Sequence, residues 1–205
     1  MARTTGARNS DYEDKRNTMA ATVAFVVIKH GADRLSLREI ARETGFSVNN
    51  LRHYFTNRDG LIEAALAAIE RNGTPYTRRI AALADKPPAE ALPALLRDIA
   101  GGWEGFLGNM HLAGLAEGLG SESRGPSYVN HILEPTLQTI EQLMAAYVEQ
   151  GKLSGAPRAL ALTFAAPVLL AMLHQSSLFG ARCRHLDVEG YIDGHVAGFL
   201  RAYTA

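Results

Sequence analysis

The chain has 205 residues, of which 47% are hydrophobic, and its 21 basic side chains are balanced by 21 acidic ones. This composition is ordinary for a globular protein with a core, and the zero net charge argues at first sight against a nucleic-acid partner. The charge is unevenly distributed, however, because residues 1–60 carry 10 basic and 7 acidic side chains whereas residues 61–205 carry 11 and 14. A basic N-terminal region joined to a more acidic remainder is therefore predicted.

Other features of the sequence exclude disulfide-bonded, secreted and membrane proteins. Cys183 is the only cysteine, so no internal disulfide forms, and this thiol is either a redox sensor or a spectator. Residues 1–17 lack the apolar run of a signal peptide. The apolar stretch 159–173 is interrupted by Pro167 and is shorter than the roughly 20 residues of a bilayer span. We therefore expect a soluble cytoplasmic protein with no membrane partner.

Helical periodicity dominates the sequence, and no alternating strand pattern is found. Glycine, proline and polar breakers first delimit short helices at about 14–30, 37–44, 48–55 and 58–72. Longer helices rich in alanine and leucine follow at about 76–84, 89–107, 110–119, 127–150, 158–179 and 188–203. The sequence therefore predicts an all-α fold of about nine helices, with a small N-terminal unit and a larger helical body.

The second and third predicted helices form a helix-turn-helix. Ser36 and Glu39 have the spacing of a capping box, in which each side chain bonds the backbone amide of the other residue. Gly45 suits the left-handed conformation of a sharp turn, and Ser47 caps the helix that follows. Two short helices that cross at a steep angle are therefore predicted.

The second helix of this motif presents a polar outer surface. Leu51, Tyr54 and Phe55 pack it down, which leaves a reading face of five residues that point outward: Val48, Asn49, Asn50, Arg52 and His53. Asparagine pairs with adenine, arginine with guanine or phosphate, and valine meets a thymine methyl group. A plain helical hairpin is the alternative, but it does not require polar residues concentrated on the second helix. The pattern favours DNA recognition.

Over residues 16–66 the sequence resembles the TetR family of regulators. The residues that carry the resemblance are Gly31, the run 35–41, the turn 45–47, and Leu51, Tyr54, Phe55, the run 57–59 and Leu61. Beyond residue 70 only the helical character and the number of segments are similar. The resemblance implies a flexible arm at 1–15, a three-helix DNA-binding domain at 16–60, and a ligand-binding and dimerisation domain at 61–205.

The resemblance also implies roles for individual residues on DNA. Arg38 would contact a base or phosphate and Ser36 a phosphate, while Tyr54 and Arg58 would approach the backbone. The candidate DNA-binding residues are Ser36, Arg38, Ser47, Val48, Asn49, Asn50, Arg52, His53, Tyr54 and Arg58. Arg52 departs from the family, in which an aromatic residue is common, and should add an electrostatic contact. The basic residues of the arm, Arg3, Arg8, Lys15 and Arg16, either reach the DNA or form a solvated tail.

The last two predicted helices are expected to form a dimer interface. The helix at 158–179 is apolar on nearly all sides and so must be covered both by the core of its own domain and by something else. The resemblance implies a homodimer through these helices, and a dimer would place two recognition helices about 34 Å apart on a palindromic operator.

By the same resemblance we expect a ligand cavity in the body. Candidate lining residues are Trp103, Phe106, Met110, His111, Tyr147, Phe164 and His174, each of which is otherwise a core residue. The glycines at 101, 102, 105 and 108 either make room for a ligand, allow a bend or mark weak helix.

The resemblance implies a repressor that a small-molecule effector releases from a double-stranded DNA operator. The alternatives are a regulator that is constitutive or controlled by a protein partner and, more remotely, an all-helical enzyme. No catalytic or phosphate-binding motif is present, and His131 with Glu134 and His185 with Asp187 are only loose pairs. We therefore expect no enzyme activity, no cofactor and no metal.

Overall fold

A computed structural model describes residues 5–30, 35–72, 74–122 and 124–205. Within these ranges every regular element is helical, apart from a single antiparallel bridge between Leu153 and Thr204. The all-α prediction is confirmed.

The N-terminal helices are α1 (Thr5–His30), α2 (Leu37–Thr44), α3 (Val48–Phe55) and α4 (Arg58–Asn72). The last three have the predicted bounds. Helix α1 begins at Thr5, whereas its predicted start was about Asp14, so it is longer at its N-terminal end than the sequence predicted. Tyr12, in this added part of α1, makes a tertiary contact with α3 that is described below. Gly31, the expected end of the first helix, lies outside the described residues.

The remaining helices are α5 (Thr74–Ala81), α6 (Pro88–Gly102), α7 (Gly108–Gly118), α8 (Gly125–Tyr128), α9 (Glu134–Glu149), α10 (Pro157–Met172) and α11 (Val188–Tyr203). A 3-10 turn extends α5 over Ala82–Asp85. Wider π-turns join α6 to α7 (Trp103–Leu107), join α8 to α9 (Val129–Leu133) and extend α10 (Leu173–Ser177). The helix predicted at 127–150 is thus one run that loosens just before Pro135.

The glycine-rich segment between α6 and α7 is a bend. Gly105 leaves the helical conformation, with φ −102° and ψ −123°. Gly108 meets the carbonyl and the indole of Trp103 so closely that a Cβ atom there would collide with both. Of the three predicted roles of these glycines, the bend is observed, and Gly108 additionally permits the close packing of Trp103.

The helices form two compact units. The N-terminal unit comprises residues up to 72 together with 112–132, and the C-terminal unit comprises 73–111 and 133–205. In the N-terminal unit α1 packs along α4, with Val23, Val27, Leu61 and Ala65 fully buried. This unit is larger than the predicted DNA-binding domain at 16–60 because α4, the end of α7 and α8 belong to it.

The C-terminal unit is built on two pairs of helices, α9 with α10 and α6 with α11. Leu96, Ile140, Phe164 and Ile192 lie at the centre of its core and are fully buried.

Among the described residues, one helical segment, Pro157–Ser177, is long and apolar enough to span a membrane, although 39% of it is buried within the chain. The sequence argument that this stretch is too short was therefore wrong, since the helix includes flanking residues. A core helix of a soluble protein has the same composition. Here Leu160, Phe164 and Val168 belong to the core of the C-terminal unit.

Candidate nucleic-acid interface

The helix-turn-helix has the local geometry that its sequence predicts. The Ser36 amide donates to Glu39 Oε2 at 2.7 Å, and the Glu39 amide donates to Ser36 Oγ at 3.3 Å. The hydrogen bond from the Ser36 amide to the Glu39 carboxyl, followed by the influence of the Ser36 side chain, lowers the pKa of that carboxyl. Gly45 ends α2 in the left-handed conformation with φ 75°, and the Asn50 amide donates to Ser47 Oγ at 3.1 Å. Both caps and the turn therefore fix the start of α3.

One side of α3 packs inward and the other is open to solvent. Leu51 and Phe55 are buried, as is Ile40 of α2, which anchors the motif in the core. On the reading face Asn49, Asn50, Arg52 and His53 are exposed, and Val48 is half-buried. Within the described part of the chain, the side chains of Asn49, Asn50 and Arg52 have no hydrogen-bond or ion-pair partner. These polar groups are therefore available to an external partner.

Arg38 of α2 is placed in the same way as these residues. Its side chain is exposed and has no partner among the described residues. Ser36 and Ser47 are exposed too, although their hydroxyl groups already accept the capping hydrogen bonds.

An aromatic cluster ties α1 to the recognition helix. The Tyr12 ring lies 4.7 Å from the Tyr54 ring and 5.9 Å from the His53 ring, measured between centroids. The Tyr12 hydroxyl also donates to the His53 carbonyl oxygen at 3.4 Å. Sequence reasoning missed Tyr12, which stands alone among polar residues and so gives no periodic signal.

Arg58 is placed differently from the other candidate DNA-binding residues. Its Nε donates to the Leu35 carbonyl oxygen at 2.8 Å, and its two terminal nitrogens donate to the Glu117 carboxylate at 2.7 and 3.2 Å. The side chain is 25% exposed. The guanidinium group is thus committed to partners within the N-terminal unit.

Two of the candidate ligand-binding residues form a stacked pair in the C-terminal unit. The rings of Trp103 and His111 are nearly parallel, with centroids 5.2 Å apart, and both residues are buried. Burial lowers the pKa of His111 to about 4, so the imidazole is neutral at pH 7. The indole Nε1 of Trp103 donates to Ser177 Oγ at 3.0 Å.

The other candidates divide between the core and the surface. Tyr147 and Phe164 are fully buried in the same core cluster as Trp103, and Met110 is buried as well. Phe106 is 49% exposed and His174 is also exposed. The cluster therefore brings together three of the seven candidates, and His111 joins it through its stack on Trp103.

Two tyrosine hydroxyl groups in this unit differ in their bonding. The Tyr147 hydroxyl donates to the Leu83 carbonyl oxygen at 2.8 Å. By contrast, the Tyr76 hydroxyl is buried and has no hydrogen-bond partner within the described ranges. Burial raises the pKa of each phenol to about 12. Sequence reasoning did not single out Tyr76, because burial without a partner is not visible in a sequence.

In the described residues, no group of three or more His, Cys, Asp or Glu side chains is close enough to hold a metal ion.

The helix-turn-helix region matches a known family. Residues 22–65 fit the model described as bacterial regulatory proteins of the tetR family. The chain thus carries the helix-turn-helix region of the TetR family. Its sequence is 33% identical over 86 residues to the HTH-type transcriptional regulator PksA of Bacillus subtilis strain 168. That match covers 42% of this chain and 42% of PksA, so it spans less than half of the relative.

Solved structures of TetR-type regulators share the fold over nearly the whole chain. A TetR-family transcriptional regulator from Mesorhizobium loti superposes with a TM-score of 0.74 at 19% identity, covering 99% of this chain and 100% of that one. The regulator FadR from Bacillus subtilis, in complex with stearoyl-CoA, superposes with a TM-score of 0.65 at 11% identity over 89% of this chain and 96% of its own. The TetR fold thus extends well beyond the residues that carry the sequence resemblance.

Proposed function

We propose that this TetR-family chain is a homodimeric repressor that binds a palindromic operator and is released by a small-molecule effector. The observation that carries the proposal is the reading face of α3, on which exposed side chains with base-pairing chemistry have no partner among the described residues. Arg52 supplies a positive charge at the centre of this face. Together with Asn49 and Asn50 it offers the donors and acceptors that base edges in the major groove present.

The dimer is supported by apolar and small residues on the outer sides of α10 and α11. Leu162 is 40% exposed and Leu170 is 67% exposed, although both are large apolar side chains. On α11, Gly190, Gly194 and Ala197 are exposed, and a Cβ atom built on Gly194 has no neighbour within 4 Å. Small residues let helices of two protomers approach closely, and the leucines would be buried between them.

The effector site is proposed in the C-terminal unit, near the cluster that holds Trp103, Tyr147 and Phe164. The buried hydroxyl of Tyr76, which packs against this cluster, adds a polar group that a ligand could satisfy. The fold shared with the FadR complex of stearoyl-CoA supports a largely apolar effector. Such a molecule lowers operator affinity if it binds better to the conformation that cannot hold both half-sites.

In vitro selection from random double-stranded DNA tests the DNA-binding part of the proposal. The selected sequences should contain inverted half-sites whose centres are about 34 Å apart, one turn of the duplex. Binding should weaken steeply as salt rises, because phosphate contacts release counterions. Recovery of no enriched sequence, or salt-independent binding, would contradict it.

The effector part is tested by titrating apolar acids and their thioesters into a gel-shift assay on the selected duplex. Release of the DNA is the expected result. An effector that raises affinity would make the chain a corepressor-dependent regulator instead.

A further inference from the structure

Glu117 is an acidic residue in the interior of the N-terminal unit. It lies at the end of α7, its side chain is 5% exposed, and it receives both terminal nitrogens of Arg58 at 2.7 and 3.2 Å. A bidentate pair of this kind fixes the plane of the guanidinium group as well as its position. Removal of Arg58 would take from this buried carboxylate its shortest ion-pair contact.

A second arginine, Arg124, contacts both Glu117 and Asp59. Arg124 Nε donates to the Glu117 carbonyl oxygen at 3.2 Å and lies 3.4 Å from the Glu117 carboxylate. One terminal nitrogen of Arg124 is 3.2 Å from the carboxylate of Asp59. Two positive and two negative side chains therefore alternate, and Glu117 is the most buried of them.

These contacts hold both ends of the helix-turn-helix. Leu35, whose carbonyl accepts from Arg58, directly precedes the cap of α2, and Arg58 itself begins α4 three residues after the end of α3. Glu117 and Arg124 belong to the segment 112–132, whose two ends continue along the chain into the C-terminal unit. The ion pair thus connects the recognition motif to the one segment of this unit that lies far from it in sequence.

We propose that Arg58 and Glu117 are a positioning pair that sets the orientation of α3 for operator binding while neither side chain contacts DNA. The inference rests on the DNA-binding function proposed above and assigns Arg58 a role other than the phosphate contact that the sequence resemblance implies. Arg58 cannot reach a phosphate with its terminal nitrogens without giving up its bidentate contact with Glu117, which would leave that buried carboxylate with Arg124 as its remaining ion-pair partner. The geometry favours retention of the pair.

The two roles of Arg58 predict opposite effects of Glu117→Gln. If Arg58 positions α3, this change weakens the pair and lowers operator affinity by about tenfold. The slope of log affinity against log salt stays unchanged, because no phosphate contact is lost. If Arg58 contacts phosphate directly, release from Glu117 leaves the affinity unchanged or raises it, and that result would overturn the proposal.

The experiment measures fluorescence anisotropy of the full-length chain on a duplex recovered by selection with the wild-type chain, at several salt concentrations. Stoichiometric titration gives the active fraction, so loss of folded protein is separated from loss of affinity. Glu63→Gln is the matched control, since Glu63 is an exposed residue of α4 with no partner in the described ranges and the change in net charge is the same.

The double variant Arg58→Met/Glu117→Met keeps the proposal testable if the single variant does not fold. Because it removes both charges, it leaves no buried ion uncompensated. We expect reduced affinity with the wild-type salt slope, whereas wild-type affinity, or a slope smaller by about 1, would contradict the positioning role. Failure of the wild-type chain to bind any duplex would contradict the DNA-binding proposal as well, so the two failures are distinguishable.

Discussion

The two units of this chain use polar side chains in opposite ways. On the reading face of the N-terminal unit, Asn49 and Arg52 are exposed and have no partner among the described residues. In the C-terminal unit, polar groups such as those of His111 and Tyr147 lie inside the core, where burial shifts their pKa values. The first arrangement suits recognition of an external polymer, and the second suits stability and the accommodation of a ligand.

The largest effect is expected from the outer surface of α11. In Gly194→Leu a large side chain occupies the space where the partner helix is proposed to pack, so the dimer should dissociate. Operator affinity should then fall by about 100-fold or more, because the second half-site is no longer held by a linked recognition helix. Analytical ultracentrifugation and anisotropy would report both changes.

Gly101→Leu is the matched control for this prediction. Gly101 is also exposed in a helix, with no neighbour within 4 Å of an added Cβ atom, but it lies on α6. It should stay dimeric. A monomeric Gly101→Leu, or a dimeric Gly194→Leu, would argue against the proposed interface.

A histidine in each unit tests whether burial governs stability in acid. The pKa of buried His111 falls from 6.5 to about 4 on folding, so the unfolded chain binds more protons between these values. Stability should therefore decrease as pH falls from 6.5 to 4, by up to about 3 kcal/mol. His111→Gln should flatten this dependence in urea unfolding, whereas His53→Gln on the reading face should leave it in place. An unchanged slope in His111→Gln would show that other groups cause the acid sensitivity.

Two tyrosines within the C-terminal unit should respond in opposite directions to loss of the hydroxyl. Tyr76→Phe removes a buried hydroxyl without a hydrogen-bond partner and should stabilise the protein by about 1 kcal/mol. Tyr147→Phe removes the hydrogen bond to the Leu83 carbonyl and should destabilise it by about 1 kcal/mol. Equal shifts of the two melting curves would mean that the Tyr76 hydroxyl is satisfied in solution.

An equally small effect is expected at the cap of the recognition helix. Ser47→Ala removes the oxygen that accepts from the Asn50 amide and should cost about 1 kcal/mol of stability. Ser47→Gly should cost only about a few tenths of a kcal/mol of stability, because glycine readily adopts the backbone conformation of a cap residue. Chemical denaturation of both variants measures the two costs in stability. Equal costs would contradict the capping role of Ser47.

The local features of the N-terminal unit were predictable from sequence. Ser36, Gly45 and Ser47 act on residues within three positions of themselves, and the structure reproduces the caps and the turn that they predict. The all-α class was predictable for the same reason, since helical periodicity is a local property. The bend was signalled by a cluster of glycines, but which glycine leaves the helix depends on how Trp103 packs.

Contacts between distant residues were not predictable. Arg58 and Glu117 are 59 residues apart, and Tyr12 and His53 are 41 residues apart. Neither Glu117 nor Tyr12 carries a sequence signal, because a single acid in an apolar helix or a single tyrosine in a polar segment has many uses. The same holds for Phe106 and His174, whose spacing resembles that of core residues although both are exposed.

The reading face is tested most directly by the affinity of Arg52→Ala for the selected duplex, measured beside Arg78→Ala. Arg78 is exposed on α5 of the C-terminal unit, so both variants lose one positive charge from the surface. We predict that Arg52→Ala weakens binding by about tenfold or more while Arg78→Ala binds like the wild type. Equal affinities of the two variants would contradict the assignment of α3 as the helix that reads DNA.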